Sequence, residues 1–257
     1  MAAPKYLQIA DNLRKKIRSG ELKPGDRLPT HETLLTEWRT TGMTVRQAIG
    51  KLTSEGLVFT RPTVGSFVRE RRRYRVETGG APGFAPVFPG LADRLLTESS
   101  GADRPLSQTV DVVLAEPPAD VAEHLGSPGE LAVLRHRVLA AGETPVVIAD
   151  AYYPRHLVEE SEIMQPALIE GGVIAALDEL GLSPVRLRDE IYVRMPDPGE
   201  TQLLDLDPGQ PVAVEMCTGL TATGQAVFCS ISVLPGDRHI VVSERFREMP
   251  VGRRAAG

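Results

Sequence analysis

The sequence lacks most of what membrane, secreted, metal-dependent and catalytic proteins are built from. No apolar run approaches the ~18 residues of a membrane-spanning helix. The first residues have neither signal-peptide nor transit-peptide character, so a cytoplasmic chain with no membrane partner is expected. Cysteine is scarce: Cys217 and Cys229 are the only two in 257 residues, and both lie among apolar, strand-like neighbours. That setting predicts buried thiols rather than a disulfide or a ligand pair. The five histidines, His31, His124, His136, His156 and His239, are scattered, with no metal-ligand spacing. No Ser/His/Asp set and no glycine-rich phosphate loop is present, so no catalysis, cofactor or metal is expected.

What the sequence does have is an uneven charge. Residues 1–75 carry sixteen Lys and Arg against seven Asp and Glu, a net of +9. The remainder carries 13 basic against 27 acidic groups, a net of −14, and the two parts combine to the overall −5. A basic block beside an acidic one suggests that only the first meets a polyanion, although a basic solvated face would look the same by charge alone. A length of 257 residues also exceeds what one core needs, so two domains are expected.

The basic block has a readable order. Tyr6, Ile9, Leu13 and Ile17 recur at helical spacing, with Arg14, Lys15, Lys16 and Arg18 on the other face and Gly20 as a stop. Pro24-Gly25 and Pro29 exclude helix over 22–29 and predict a short strand or loop. Thr30 is a predicted N-cap for a second helix with Leu34, Leu35 and Trp38 inward, and Thr41 for a third with Val45, Ala48, Ile49 and Leu52 inward. Residues 57–61 and 66–69, joined by Pro62-Thr63-Val64-Gly65, read as a hairpin. Three helices and a hairpin are the layout of a winged helix-turn-helix, expected over 1–70.

Residues 71–90, an arginine cluster followed by a Gly/Pro-rich stretch, are predicted to be a linker. Beyond it, a domain is expected over 91–248, with a tail over 249–257. This half contains an approximate duplication. A short helix around Val121 and Leu125, a Pro128-Gly129 turn and strands over 131–139 and 145–153 return about 80 residues later. There they appear as Leu203-Leu204, Pro208-Gly209 and strands over 212–220 and 226–234. With a helix over 173–180, a strand over 185–193 and a last strand over 240–246, they predict an antiparallel sheet with helices packed on it.

The N-terminal residues resemble the GntR family of bacterial regulators. The resemblance is carried by Tyr6-Leu7-Gln8-Ile9-Ala10, by residues 17–29 ending in Pro24-Gly25-Asp26-Arg27-Leu28-Pro29, by Thr44-Val45-Arg46-Gln47-Ala48-Ile49 and by Leu52-Thr53-Ser54-Glu55-Gly56-Leu57-Val58. The second half more faintly resembles the UTRA effector domain of the HutC-type subfamily. That likeness rests on Arg135-His136-Arg137, Tyr152-Tyr153-Pro154 and Leu177-Asp178-Glu179-Leu180-Gly181. The resemblance implies an α+β chain: a winged helix-turn-helix followed by an antiparallel-sheet domain similar to the chorismate-lyase fold. It also implies a homodimer that binds a double-stranded operator and is released, or more rarely tightened, by a small molecule. A repressor is the expected form, and a constitutive DNA-binding protein whose second domain only dimerises is the alternative.

Residue by residue, the expected DNA contacts are Thr41, Thr44, Arg46 and Gln47 at the start of the recognition helix, with Arg61 and Gly65 in the wing. In this motif the early polar side chains meet base edges while the late apolar ones hold the helix down. Arg46 is a candidate for guanine or phosphate, or a plain surface arginine; Thr41 is a candidate cap and phosphate donor. The sequence departs from the family at Gly42 and Glu32, where basic contacts are usual, at His31, and at Thr63, which replaces a wing glycine.

For the effector, alternation along the strands nominates Arg135, Arg137, Asp150 and Tyr152, four groups expected to converge from one hairpin, with the Arg-x-Arg strand reaching an anionic part of the ligand. An exposed cross-strand Arg–Asp pair is the alternative. Glu190 and Tyr192 are secondary candidates; with Arg194 and Glu215 they could equally be surface charges. Relatives that sense sugar phosphates use a serine and an acidic residue where this sequence aligns Gly172 and Phe228. The expected effector is therefore not a sugar phosphate but something less polar, of the carboxylate-bearing kind.

Overall fold

The computed structural model of the chain describes residues 3–61, 63–69, 74–78, 90–99, 105–207 and 209–243. Its contacts divide it into two compact units, Met1–Arg73 with Met195–Pro211, and Tyr74–Arg194 with Val212–Gly257. No helix among the described residues is long and apolar enough to cross a membrane.

The first unit follows the expected order. Helix α1 (Lys5–Ser19) ends at Gly20 in the left-handed conformation, φ 79°. Thr30 caps α2 (His31–Trp38) and Thr41 caps α3 (Gly42–Ser54), each accepting the N–H three residues on. Strands β1 (Val58–Arg61) and β2 (Gly65–Val68) pair antiparallel, and Arg27 adds a bridge to Phe67. Ile9, Leu13, Leu34, Val45, Leu52 and Val58 are fully buried in one core, each stabilising by roughly 1.5–3 kcal/mol. Arg14 ties α1 to the end of α3 through two hydrogen bonds to Glu55, at 2.8 and 2.9 Å.

The second unit opens with β3 (Tyr74–Thr78), α4 (Leu91–Ser99) and β4 (Ser107–Ala115). The first copy of the duplication follows as α5 (Ala119–Leu125), β5 (Ala132–Ala141) and β6 (Thr144–Pro154). Next come α6 (Arg155–Val158), a 3-10 turn (Glu162–Met164), α7 (Gly172–Glu179) and β7 (Arg186–Arg194). The second copy is α8 (Pro198–Leu203), β8 (Val212–Leu220) and β9 (Ala226–Pro235), and β10 (His239–Ser243) is last. Of these elements α8 alone groups with the first unit. Six strands form an antiparallel sheet in the order β4-β5-β6-β9-β8-β7. That order is symmetric about the β6–β9 seam, so each copy of the duplicated sequence supplies one half.

Alternation gives the sheet two covered faces. On one, α7 packs through Val173, Ala176 and Leu177 on Val133, Tyr153 and Phe228, and α4 packs through Leu91 and Leu95 on Leu139, Val147 and Leu234. On the other, α5 brings Val121 and Leu125 against Tyr152, Met216 and Cys229. Cys217 pairs with Ser230 and Cys229 with Thr218, one step apart in register. The thiols therefore point to opposite faces, both buried and both free.

Three expectations change. Residues Tyr74–Thr78, inside the stretch read as a linker, form a strand. Its partner is β10, in a parallel pair, so the last strand is not part of the antiparallel sheet. Helix α4 and edge strand β4 are additions that the sequence pattern does not announce. Residues 71–73 and 79–89 of the expected linker, the end of the last strand and the tail 249–257 lie outside the described residues.

Candidate nucleic-acid interface and ligand cleft

The start of α3 is shaped by its cap and its core. Thr41 Oγ1 accepts from the Thr44 N–H at 3.4 Å and lies 3.0 Å from Thr44 Oγ1. Because Val45, Ala48 and Leu52 point into the core, Arg46 and Gln47 are turned outward and exposed, as is Thr41. In the wing, the exposed Arg61 guanidinium lies 5.4 and 5.9 Å from the Phe59 and Phe67 ring centres, within cation–π range. Gly65 is favoured by its backbone: φ 137° is a conformation that side chains rarely adopt, and a Cβ there would also displace the Arg27 guanidinium, whose Nε would stand 2.8 Å away. A concavity of about 510 Å³ separates α3 from the wing, lined by Arg46, His31, Gly50, Thr53, Thr60 and Ser66. The His31 Nε2 is buried without a hydrogen-bond partner.

The expected residues thus fall on one helix edge and one hairpin, and Arg46 faces the wing across a groove. Such an edge offers N–H, hydroxyl and guanidinium donors to an anionic backbone and amide and guanidinium groups to base edges. Thr53 and Ser66, which line the groove, and Arg27 were not singled out from the sequence, whereas His31 was named there as a departure. Arg27 belongs to the Pro-Gly-Asp-Arg-Leu-Pro motif, but only the long-range bridge to Phe67 reveals its place beneath the wing.

The second unit holds a cleft of about 910 Å³. Arg135 and Arg137 form its floor, Asp93 and Leu96 of α4 one wall, and Ile169 and Val173 at the start of α7 another. Both guanidiniums are buried and already engaged. Arg135 donates to the carbonyls of Ile163, Gln165 and Ala167 at 2.7–2.8 Å, and burial lowers its pKa. Arg137 makes a forked pair with Asp93, at 2.6 and 2.7 Å. Burial alone would lower its pKa, but the Asp93 carboxylate outweighs it and holds the pKa above the ordinary value.

Helix α4 is anchored. The Leu91 N–H donates to Glu215 Oε2 at 2.6 Å. Gly90, at φ 154°, sits so near that a Cβ would come within 3.0 Å of Ser230 Oγ and 3.2 Å of Glu215 Oε2. Burial pushes the Glu215 carboxyl up to about 7 despite that hydrogen bond. Glu215 is therefore a buried anchor, 1% exposed, and not a surface charge.

The expected convergence of four groups does not occur. Arg135 and Arg137 stand opposite Ala151 and Ala149, whereas Asp150 stands opposite His136 and Tyr152 opposite Leu134. Asp150 and Tyr152 therefore occupy the other face of the sheet, where His136 Nδ1 lies 2.6 Å from Asp150 Oδ1. The His136 pKa is raised, chiefly by that hydrogen bond. Glu190 and Tyr192 share this second face: Glu190 Oε1 lies 3.1 Å from His124 Nε2, and Tyr192 is 42% exposed. The exposed Arg–Asp pair read as the alternative is absent too, since Asp150 takes a histidine and Arg137 takes Asp93.

Residues 5–68 match the family described as bacterial regulatory proteins, gntR family, and residues 101–240 match the UTRA domain. The chain belongs to the GntR family. An uncharacterized HTH-type transcriptional regulator of Streptomyces coelicolor is 31% identical over 92% of this chain and 90% of its own length. The HTH-type transcriptional repressor NagR of Bacillus subtilis is 25% identical over 93% of both chains. Among solved structures, a GntR-family transcriptional regulator superposes with a TM-score of 0.63 at 25% identity, covering 95% of this chain and 98% of its own. As a GntR-family member with a UTRA domain, the chain is a DNA-binding transcription regulator and not an enzyme.

Set on the GntR scaffold, the departures gain physical content. At Gly42 a Cβ would meet only the His31 ring, at an ordinary 3.6 Å, so space does not demand glycine there. Thr63 adopts φ 63°, the left-handed region a glycine would enter at no cost. Gly172 opens α7 at the cleft with nothing within 4 Å of its Cβ position, whereas Phe228 is buried against Tyr153, ring centres 6.2 Å apart. Phe228 therefore belongs to the core, not to the ligand.

Proposed function

We propose that this regulator is a homodimeric repressor that binds a two-fold operator through α3 and the wing and is released by a small molecule seated in the cleft of its second unit. The first domain is taken as 1–70 and the effector domain as 91–248, in a cytoplasmic protein. The observation that carries the reading is the outward Thr44-to-Gln47 edge of α3, capped by Thr41, with Arg46 lining a groove whose other side is Thr60 and Ser66 of the wing. In that arrangement Arg46 reaches a guanine edge or a phosphate, Gln47 a base, and Thr41 and Thr44 the backbone. A two-fold pair of such helices suits half-sites about 34–36 Å apart. Arg135 and Arg137 shape the cleft floor, and the effector is not a sugar phosphate.

The test is a gel shift on operator selected from genomic DNA. Arg46→Ala should weaken binding at least tenfold, the loss of one good contact, while leaving the dimer intact by sedimentation; unchanged affinity would remove Arg46 from the interface. A metabolite screen by thermal shift should yield a compound that raises the melting temperature and lowers operator affinity together. A chain that binds its operator but responds to nothing would instead support constitutive DNA binding.

A further inference from the structure

The cleft contains a negative charge of its own, and it is fixed in place. Asp93 sits in the first turn of α4 and spans both nitrogens of the Arg137 guanidinium at 2.6 and 2.7 Å. The helix is tied at its start, because Glu215 holds the Leu91 N–H, and beside Gly90 there is no room for a side chain against Ser230 and Glu215. The other arginine of the floor is largely committed: Arg135 gives three of its five N–H donors to backbone carbonyls. A guanidinium binds a carboxylate or phosphate by the same fork that Asp93 already fills.

We infer that Asp93 is the specificity-determining residue of the cleft. It occupies the anion seat of Arg137 and restricts the effector to molecules that bring a neutral or cationic group there, in place of the carboxylate expected at that seat from the sequence. This rests on the cleft being the effector site. An incoming phosphate or carboxylate would meet the Asp93 carboxylate at close range in a partly buried setting, where like charges repel strongly. A hydroxyl or ammonium group meets the lone pairs of Asp93 that Arg137 leaves open, while Leu96, Ile169 and Val173 supply apolar walls. The residue choice at one helical position thus turns an arginine floor from an anion receptor into an acceptor of donors.

The experiment is a calorimetric titration of the full chain with inorganic phosphate at constant ionic strength. The native chain should show no cleft binding up to about 10 mM, beyond the weak millimolar end of the affinity scale. Asp93→Ser, which frees Arg137, should bind phosphate at least tenfold more tightly than that limit, and Asp93→Ser combined with Arg137→Gln should lose the gain. Asp93→Asn, neutral and of the same shape, carries the test if circular dichroism shows the serine variant unfolded. The inference is overturned if the native chain binds phosphate within threefold of the variants, or if both folded variants ignore it. Phosphate taken up by the basic first unit is common to every variant, so the gain that Arg137→Gln abolishes reads the cleft; failure of the regulatory reading appears separately, as an operator complex indifferent to every cleft ligand.

Discussion

At the residue scale, one inserted residue decides which side chains meet. The β5–β6 hairpin changes register between Leu139 and Ala140: near the turn Ala140 faces Pro145, but beyond the bulge Leu139 faces Val147. Continued without that bulge, the turn register would place Arg135 opposite Asp150, on one face, as alternation from the turn suggests. The extra residue shifts every later pair by one and sends Asp150 and Tyr152 to the far side. Alternation within a strand was legible; parity between strands was not, because a bulge leaves no local signature here. Glu215 was illegible for a related reason, since its anchor, the Leu91 N–H, lies 124 residues away. Its burial has a consequence in pH. With the folded-state value near 7 and the unfolded chain near 4.3, the native state holds more protons between those values. Stability from this group therefore falls as pH rises from about 4.5 to 7. Glu215→Gln keeps an acceptor for Leu91 and removes the buried charge. Thermal melts should show it more stable than the native chain at pH 8, by about 1–3 kcal/mol, with the difference shrinking toward pH 5; a constant difference would mean the carboxyl does not titrate in this range.

At the scale of elements, the helices of the first unit were readable because their signals are local: a threonine cap, apolar spacing of three and four, a glycine stop. Strand β3 was not, because its identity comes from β10, some 165 residues away along the chain and outside any window of periodicity. Edge strand β4 alternates only between half-buried and exposed, so its pattern is weak. The caps are the elements' own test. Thr41 Oγ1 satisfies an N–H that α3 would otherwise leave open, and losing such a cap costs about 1 kcal/mol. Trp38 is the single tryptophan and packs against the core of the first unit, so its fluorescence reports that unit. Thr41→Ala should lower the urea midpoint followed at Trp38 by about that energy, and Thr41→Ser should restore most of it. An unchanged midpoint in the alanine variant would assign the cap no part in holding α3.

At the scale of the whole molecule, charge is divided as function is. The +9 of residues 1–75 accompanies the helix-turn-helix, and the −14 of the remainder accompanies the part of the chain that contains the UTRA domain. That division was the part of the function most legible in the amino-acid order alone, since long-range electrostatics depends on how many charges lie where and not on their exact geometry. It also sets how binding must respond to salt. Each phosphate neutralised releases condensed counterions, so the logarithm of affinity falls with the logarithm of salt with a slope of about −0.9 per contact. A symmetric dimer in which Arg46, Arg61 and one further Lys or Arg of the basic block each neutralise one phosphate per half-site makes about six contacts. Operator affinity should then fall on the order of a thousandfold between 50 and 200 mM salt, measured by fluorescence anisotropy. Arg61→Ala in the wing should flatten the slope by about two, one contact per subunit, without changing the preferred sequence. If the native slope is already shallower than about −2, the basic block does not face the duplex, and the charge division belongs to solubility instead.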